Sequence, residues 1–434
     1  MMQIAKDCWE SLSAFRRKRN RCRDYTFGRQ WNDIIEVDGR QMSEYEYILR
    51  EGNVPLKNNL IRRIVRNVLG VFREKLTDVM KREYSGELSS VAEDNSLREI
   101  FSRVMEEFLI SGMAVVRKRR GWKNDLPMII TEMVSPSSFF YNTDSLDVRG
   151  RDINVAGQIH RVNFNDWCSA FVKDEADYRN AQKLFADHRY LKVTEMWRKE
   201  PAGCMLIHDR EKGRLIKTDE KEHRRYSGER YRKKWHLEEI WRYYFMTEDG
   251  TVISGGESPY PGGGHPYVMK CYPMLDGEIQ SFVADLIDQQ RYTNRLITLY
   301  DWVIRASAKG VLLLPKDSVE PQNVRAVADQ WGRFNGVIVY NAKAGQPEPK
   351  QVSGHMANLG VSELLEIQLK MLEDVSGVNG ILQGNTGGGN VSGELYKSQT
   401  TNAMYSLADL METFMAFVGE NAKKDASFLQ QTRG

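Results

Sequence analysis

The stretch Ser376-Gly-Val-Asn-Gly-Ile-Leu-Gln-Gly-Asn-Thr-Gly-Gly-Gly-Asn-Val-Ser-Gly393 is too polar and too glycine-rich to form a core, yet it lies between two strongly apolar helical patterns. Working outward from it, residues from Asp276 to about Val418 read as a long helix, a small strand-helix-strand insert, a second helix, the glycine loop and a third helix. In the first helix Ile279, Phe282, Val283, Leu286, Ile287, Ile297, Tyr300 and Ile304 keep the 3.6-residue period, with Gln290 and Thr293 interrupting it. Beyond Arg295 the apolar residues Leu296, Leu299, Trp302 and Val303 spread around the helix, so it expects neighbours on several faces. The insert reads as a strand, Lys309 to Pro315, a helix, Gln322 to Trp331, and a strand, Gly336 to Tyr340. The second helix reads from Leu359 to Val375 and the third from Leu395 to Val418, with polar, frayed residues from Gly419 to Gly434.

Glycine-rich loops cradle phosphates when a Lys-Ser or Lys-Thr pair follows and a strand leads in. Here neither stands beside Gly387-Gly-Gly389, which argues against a nucleotide loop. The seven histidines show no His-x-His or His-x-x-x-His spacing, and the five cysteines include no Cys-x-x-Cys pair. Metal sites and disulfide frameworks are therefore disfavoured, and a reducing compartment is expected. Asp285 and Asp288 are one helical turn apart and are expected in solvent or paired with Arg291 or Arg295. No nucleophile elbow is present, and no catalytic or metal-binding residue is expected.

With 434 residues, 41% hydrophobic and 28% charged, the chain has the composition of a soluble globular protein of several structural units. No apolar run is long enough to span a membrane, and the first ten residues lack the apolar core of a signal peptide. Lysine plus arginine (62) exceeds aspartate plus glutamate (59) by 3, so any polyanion contact depends on local patches or on repetition around an oligomer.

Residues Gln3 to Arg23 read as helix, with the basic run Arg16-Arg-Lys-Arg19, Arg21 and Arg23 either on a solvated face or touching phosphate. Pro55 to Ile61 opens a long amphipathic helix with Ile61, Ile64, Val65, Val68, Leu69, Phe72, Leu76 and Val79 on one face, expected to pack on the main sheet. Ser96-Leu-Arg-Glu99 has the spacing of a capping box for a helix ending at Ser111-Gly112. Ala114 to Lys118 and Met128 to Val134 read as strands of a hairpin. Arg117, Lys118, Arg119, Arg120 and Lys123 crowd this hairpin, expected as a solvated tip or as a contact with a polyanion or another subunit. Phe164 to Tyr190 is helical, and Leu191 to Tyr272 turns to β, with the charged stretch Arg210 to Lys234 expected as a mobile excursion. Mostly antiparallel sheet with helices on it gives an α+β class.

Several motifs recur in a telling order: Tyr25-Thr-Phe-Gly-Arg-Gln-Trp31, Asn58-Asn-Leu-Ile-Arg-Arg-Ile-Val-Arg-Asn-Val-Leu-Gly70, Tyr272-Pro-Met274, Leu286-Ile-Asp288 and Ser392-Gly393. Together they resemble the portal proteins of tailed bacteriophages over nearly the whole chain. The resemblance implies an α+β, ring-forming portal fold: a wing over 1–275, a first stem helix over 276–308, a clip over 309–355, a second stem helix over 356–376, a tunnel loop over 377–393 and a last helix over 394–434 with a short or missing crown.

It further implies a homo-oligomeric ring, usually of about twelve subunits, at one capsid vertex of the virion, assembled in the host cytoplasm. Double-stranded DNA would pass through the ring during packaging and ejection. Implied partners are the terminase large subunit, the major capsid or scaffolding protein and a head-tail adaptor, with no membrane and no cofactor. Gly384, Asn385, Thr386, Gly387, Gly388, Gly389 and Asn390 would face DNA. Arg305, Lys309 and Lys343 would add basic bands to the channel or form subunit salt bridges, and Gln322, Arg325, Trp331 and Arg333 would dock the motor or adaptor at the clip. A nearly neutral chain with a small polar loop suits a channel in which a stiff polyanion must slide without being gripped. The competing expectation is a nucleic-acid-processing enzyme that holds DNA with the segments Arg16 to Arg23 and Arg117 to Lys123.

Overall fold

The computed structural model describes residues 1–123, 126–219, 222–309, 311–315, 319–332, 345, 348, 350–352, 360–378 and 405–432. The chain divides into two compact units, one of Met1–Phe27, Ile61–Asp285 and Ser376–Gly434, the other of Gly28–Leu60 and Leu286–Val375. Helices and antiparallel sheets are mixed throughout, as the α+β class requires.

Among the described residues the first unit holds two main antiparallel sheets and one small hairpin. In the larger, the strands run in the order Val252–Glu257, Tyr231–Thr247, Leu191–Asp209, Val155–Val162 and Phe139–Tyr141, with Arg214–Asp219 added on Leu191–Asp209. The charged stretch expected as a mobile excursion is thus strand in part, over Arg214–Asp219 and from Tyr231 onward. Leu191–Asp209 and Tyr231–Thr247 pair continuously from Val193 opposite Thr247 to Asp209 opposite Tyr231. At the far end Arg230 grips the Asp209 carboxylate through Nε at 2.9 Å and Nη2 at 2.7 Å, so opposite charges that read as disorder close the hairpin. The smaller sheet places Met113–Lys123 between Tyr267–Cys271 and Leu126–Met133.

Three helices bring their apolar stripes together in this unit: Leu60–Glu83, Leu97–Ser111 and Ala408–Thr432. Ile61, Ile64, Val65, Val68, Leu69, Phe72 and Leu76 of the first are buried, as their period predicts. The one ring of this stripe, Phe72, meets another helix, and rings of the other two stripes meet each other. Phe72 lies edge-on to Phe414 at 5.0 Å, Phe108 meets Phe414 at 5.4 Å, and Phe101 meets Phe417 at 6.3 Å. Truncating one such fully buried ring to alanine costs about 3–5 kcal/mol.

The capping box expected at Ser96 and Glu99 does not form. Ser96 is left-handed, with φ 50° and ψ 46°, and makes no side-chain cap, while Glu99 pairs with Arg103 at 2.5 Å. Gly112 ends that helix at φ 76°, where a Cβ would lie 2.5 Å from the Gln280 carbonyl oxygen. Two short helices, Phe164–Phe171 and Glu175–Leu184, replace one helix over 164–190, because Asn163 and Asp174 each cap a separate start.

The second unit begins with a hairpin, Ile34–Val37 and Arg40–Ser43, turned by Asp38 (φ 52°) and Gly39 (φ 74°). Ser43 then forms a complete capping box with Glu46 for the helix Glu44–Arg50. The long helix is Ile287–Lys309, later than the start expected at Asp276. Asp276 (φ 51°) and Gly277 (φ 80°), at the end of the first unit, instead turn a small hairpin of Met274–Leu275 and Glu278–Ile279. Further along lie the strand Val311–Leu313, paired with Lys350–Val352, and the helices Val324–Gly332 and Val361–Ser376. The expected strand Gly336 to Tyr340 and the helical start at Leu395 lie outside the described residues.

Gln290 and Thr293, which break the apolar period, are fully buried, and Asn294 is 1% exposed. They form a polar layer against the segment before the Leu60–Glu83 helix. Gln290 accepts from the Leu60 amide at 2.9 Å and donates to the Asn58 carbonyl at 2.7 Å. Asn294 accepts from the Asn58 amide at 3.2 Å and donates to Gln30 at 2.7 Å. These side chains satisfy backbone groups that would otherwise be buried at a loss.

Candidate subunit and nucleic-acid interfaces

The two basic segments are the natural places to look for a polyanion contact, and much of their charge is used internally. Arg16 lies 3.6 Å over the Trp9 ring and donates to the Trp9 carbonyl at 2.6 Å. Arg19, 7% exposed, forms a two-pronged pair with Glu107, both bonds at 2.8 Å. Arg17, Lys18, Arg21 and Arg23 stay on the solvent side.

In the hairpin, the reading of a solvated tip is corrected for Lys118 and Arg117, while Arg119 and Arg120 keep solvent exposure. Lys118 is entirely buried, with its ammonium 2.7 Å from Asp425 and 2.9 Å from the Thr131 hydroxyl. Arg117 pairs with the fully buried Glu195 at 2.9 Å, and Arg119 pairs with Glu132 at 2.6 Å. Burial alone would raise the Glu195 carboxyl, but Arg117, His160 and Trp197 outweigh it and hold the group below its ordinary value. An arginine or lysine spent on an internal carboxylate adds little net field for DNA.

The C-terminal helix is the other half of this network. Residues 419–432, expected to fray, continue Ala408–Thr432, with Asn421 and Asp425 fully buried, Ala422 at 3% and Phe428 at 1% exposure. Asp425 also accepts from the Tyr84 hydroxyl at 3.0 Å. Its neighbour Lys424 donates to the backbone carbonyls of His265 at 2.5 Å and Tyr267 at 2.8 Å. Burial, helped by the charge of Lys118, pushes the Lys424 ammonium down to about 7. The Tyr267 carbonyl lies on a strand of the three-stranded sheet, so this helix is fastened to that sheet by two adjacent side chains.

The residues expected to face a channel are only partly in view. Gly384, Asn385, Thr386, Gly387, Gly388, Gly389, Asn390, Lys343 and Arg333 lie outside the described residues. Arg305 and Lys309 are on the last two turns of Ile287–Lys309. Gln322, in the short turn Pro321–Asn323, donates to Glu320 at 2.8 Å. Arg325 is exposed and Trp331 half-buried on Val324–Gly332, six positions and so about 120° apart, on different faces.

Arg291 and Arg295, expected near Asp285 or Asp288, both engage Glu44 instead, Arg295 at 2.5 Å. Glu44 is 3% exposed, so two cations share one buried carboxylate. Sequence reading missed this because the partner stands more than two hundred residues earlier.

The second unit carries much exposed apolar surface on two helices. On Ile287–Lys309 these are Leu299, Tyr300, Trp302 and Ile304, and on Val361–Ser376 they are Leu364, Ile367, Leu369, Met371 and Val375. Scattered exposed leucines are ordinary, but a concentration of this kind marks a protein contact. All five cysteines are free thiols. Among the described residues no group of His, Cys, Asp and Glu could hold a metal ion, and no helix is long and apolar enough to cross a membrane.

The family model described as phage P22-like portal protein matches residues 2–432 of the chain. No curated protein matches it.

Proposed function

Because the chain belongs to the phage P22-like portal protein family, we propose that it is the subunit of a ring at one capsid vertex through which double-stranded DNA enters and leaves the head. The match along 2–432 is the observation that carries this reading. The family is structural rather than enzymatic. Exposed Leu299, Trp302, Ile304, Ile367 and Met371 support assembly, since neighbouring copies would cover them.

In this reading 1–275 is the wing, 276–308 and 356–376 the stem, 309–355 the clip, 377–393 the tunnel loop and 394–434 the last helix. The segment Gly384 to Asn390 would present small polar groups to DNA, giving weak, exchangeable contacts rather than fixed phosphate grips. Arg305, Lys309 and Lys343 would each be multiplied by ring symmetry into a basic band. Gln322, Arg325, Trp331 and Arg333 would meet the terminase large subunit during packaging and a head-tail adaptor afterwards. The major capsid or scaffolding protein would meet the wing. The subunit itself hydrolyses nothing in this account; the motor supplies the work. Internal pairing of Arg117, Lys118 and Arg119 weighs against the competing reading of a DNA-processing enzyme that grips substrate there. Electron microscopy of the purified protein tests the proposal: rings with a central hole support it, and a monodisperse monomer contradicts it.

A further inference from the structure

The helix Val361–Ser376 is apolar on two adjacent arcs. On one arc Val361 and Leu372 are buried, at 5% and 3% exposure. On the other, Leu364, Ile367, Met371 and Val375 are 42%, 49%, 45% and 50% exposed. Spaced three or four residues apart, these four lie within about 80° of one another around the helix axis. One arc is therefore satisfied inside the subunit, and the second is a ready-made stripe for another protein surface.

The same unit offers a matching receptacle. Trp31, Ile35, Tyr47, Ile48, Leu299 and Trp302 line a hollow of about 450 Å³ between the Glu44–Arg50 and Ile287–Lys309 helices and the first hairpin. That is about three times the ~150 Å³ that accommodates a benzene ring, enough for several aliphatic side chains. Its charged lining is Glu44 at 3% exposure and Arg295 at 53%, so the charge presented to the outside is cationic. The helix bearing the stripe is acidic, with Glu363, Glu366, Glu373 and Asp374 against Lys370. The hollow is roomy enough, and hydrophobicity and charge sign match.

We propose that the stripe Leu364, Ile367, Met371 and Val375 of one subunit seats in the Trp31–Trp302 hollow of the next copy, with the acidic flank of the helix toward Arg295. Stripe and hollow are different surfaces, so the contact is head-to-tail and repeats from copy to copy until it closes. Every chain carries both halves, so the binding partner is always present at the concentration of the protein itself. The inference rests on the ring reading above and specifies which surfaces close the ring.

The test uses two full-length variants. Ile367→Glu with Met371→Glu blocks the stripe and leaves the hollow intact; Leu299→Glu blocks the hollow and leaves the stripe intact. Light scattering and negative-stain microscopy should show rings for the parent chain and monomers for each variant, with the concentration at half-assembly raised about 100-fold or more. An equimolar mixture should give dimers that grow no further, because each pair retains one intact stripe facing one intact hollow. Rings from either variant, or a mixture that stays monomeric, overturn the proposal. A parent chain that never forms rings overturns the ring reading with it, whereas parent rings with unaffected variants sink this inference alone. Should a glutamate variant fail to fold, Ile367→Cys with Leu299→Cys provides a second route. Oxidation should yield a ladder of covalent multimers that the parent chain, with its five native thiols, does not give, and absence of the ladder contradicts the proposal.

Discussion

The Lys118 ammonium and the Asp425 carboxylate meet at 2.7 Å with both side chains wholly buried, joining the central strand of the three-stranded sheet to the C-terminal helix. Removing one partner of such a pair leaves an uncompensated charge and costs about 3–5 kcal/mol, whereas an apolar replacement of both is far milder. Asp425→Ala should therefore destabilise the protein by that amount in urea unfolding, and Lys118→Met with Asp425→Leu should recover most of it. A loss under about 1 kcal/mol for Asp425→Ala would show that the pair does not hold the helix.

Lys424 makes stability depend on pH. Its folded pKa, about 7, lies below the ordinary lysine value, so between about 7 and 10 the unfolded chain binds a proton that the folded chain has lost. Stability contributed at this site is therefore lowest below pH 7 and rises with pH through that window. The stability of the parent chain minus that of Lys424→Met should increase from pH 7 to pH 10 in denaturant titrations. A difference that stays flat, or falls, contradicts the assignment.

Much of this fold was legible where periodicity and burial agree. The helix from Ile61, the helix ending at Ser111-Gly112 and the strands of the hairpin stand where period and alternation placed them, and the stripe Ile61 to Leu76 is buried as read. The continuation of the last helix beyond Val418 was missed because polar residues occupy core positions. Phe414, Phe417, Asn421, Asp425 and Phe428 keep one spacing of three and four, and Asn421 and Asp425 disguise it. Lys118 has the same disguise, standing two residues after Val116 in a buried strand. The paired charges of Arg210 to Lys234 looked like disorder for a related reason, since cross-strand partners are distant in sequence. Of the residues expected to face DNA, Gly384 to Asn390 lie outside the described residues, and their assignment remains a proposal from the sequence.

Internal pairing of the hairpin arginines separates stability from DNA affinity. Arg117→Ala should lower the unfolding midpoint, since it leaves the buried Glu195 without its arginine partner. The salt dependence of duplex binding, followed by fluorescence anisotropy, should keep its slope in both Arg117→Ala and Arg119→Ala. A slope reduced by about one in either variant would place that arginine on a phosphate.

Deletion of Gly387 to Gly389 is expected to leave ring assembly intact while reducing DNA packaging or retention, measured as the yield of filled heads in an in vitro packaging reaction. Failure of assembly instead would make that loop part of the subunit contact.

The central claim, that this chain closes into a ring around a DNA channel, is tested most directly by imaging the purified protein along the particle axis. The account predicts closed rings of identical subunits with a central hole wide enough for duplex DNA. Monodisperse monomers at micromolar concentration across low and high salt, with no rings, would contradict it.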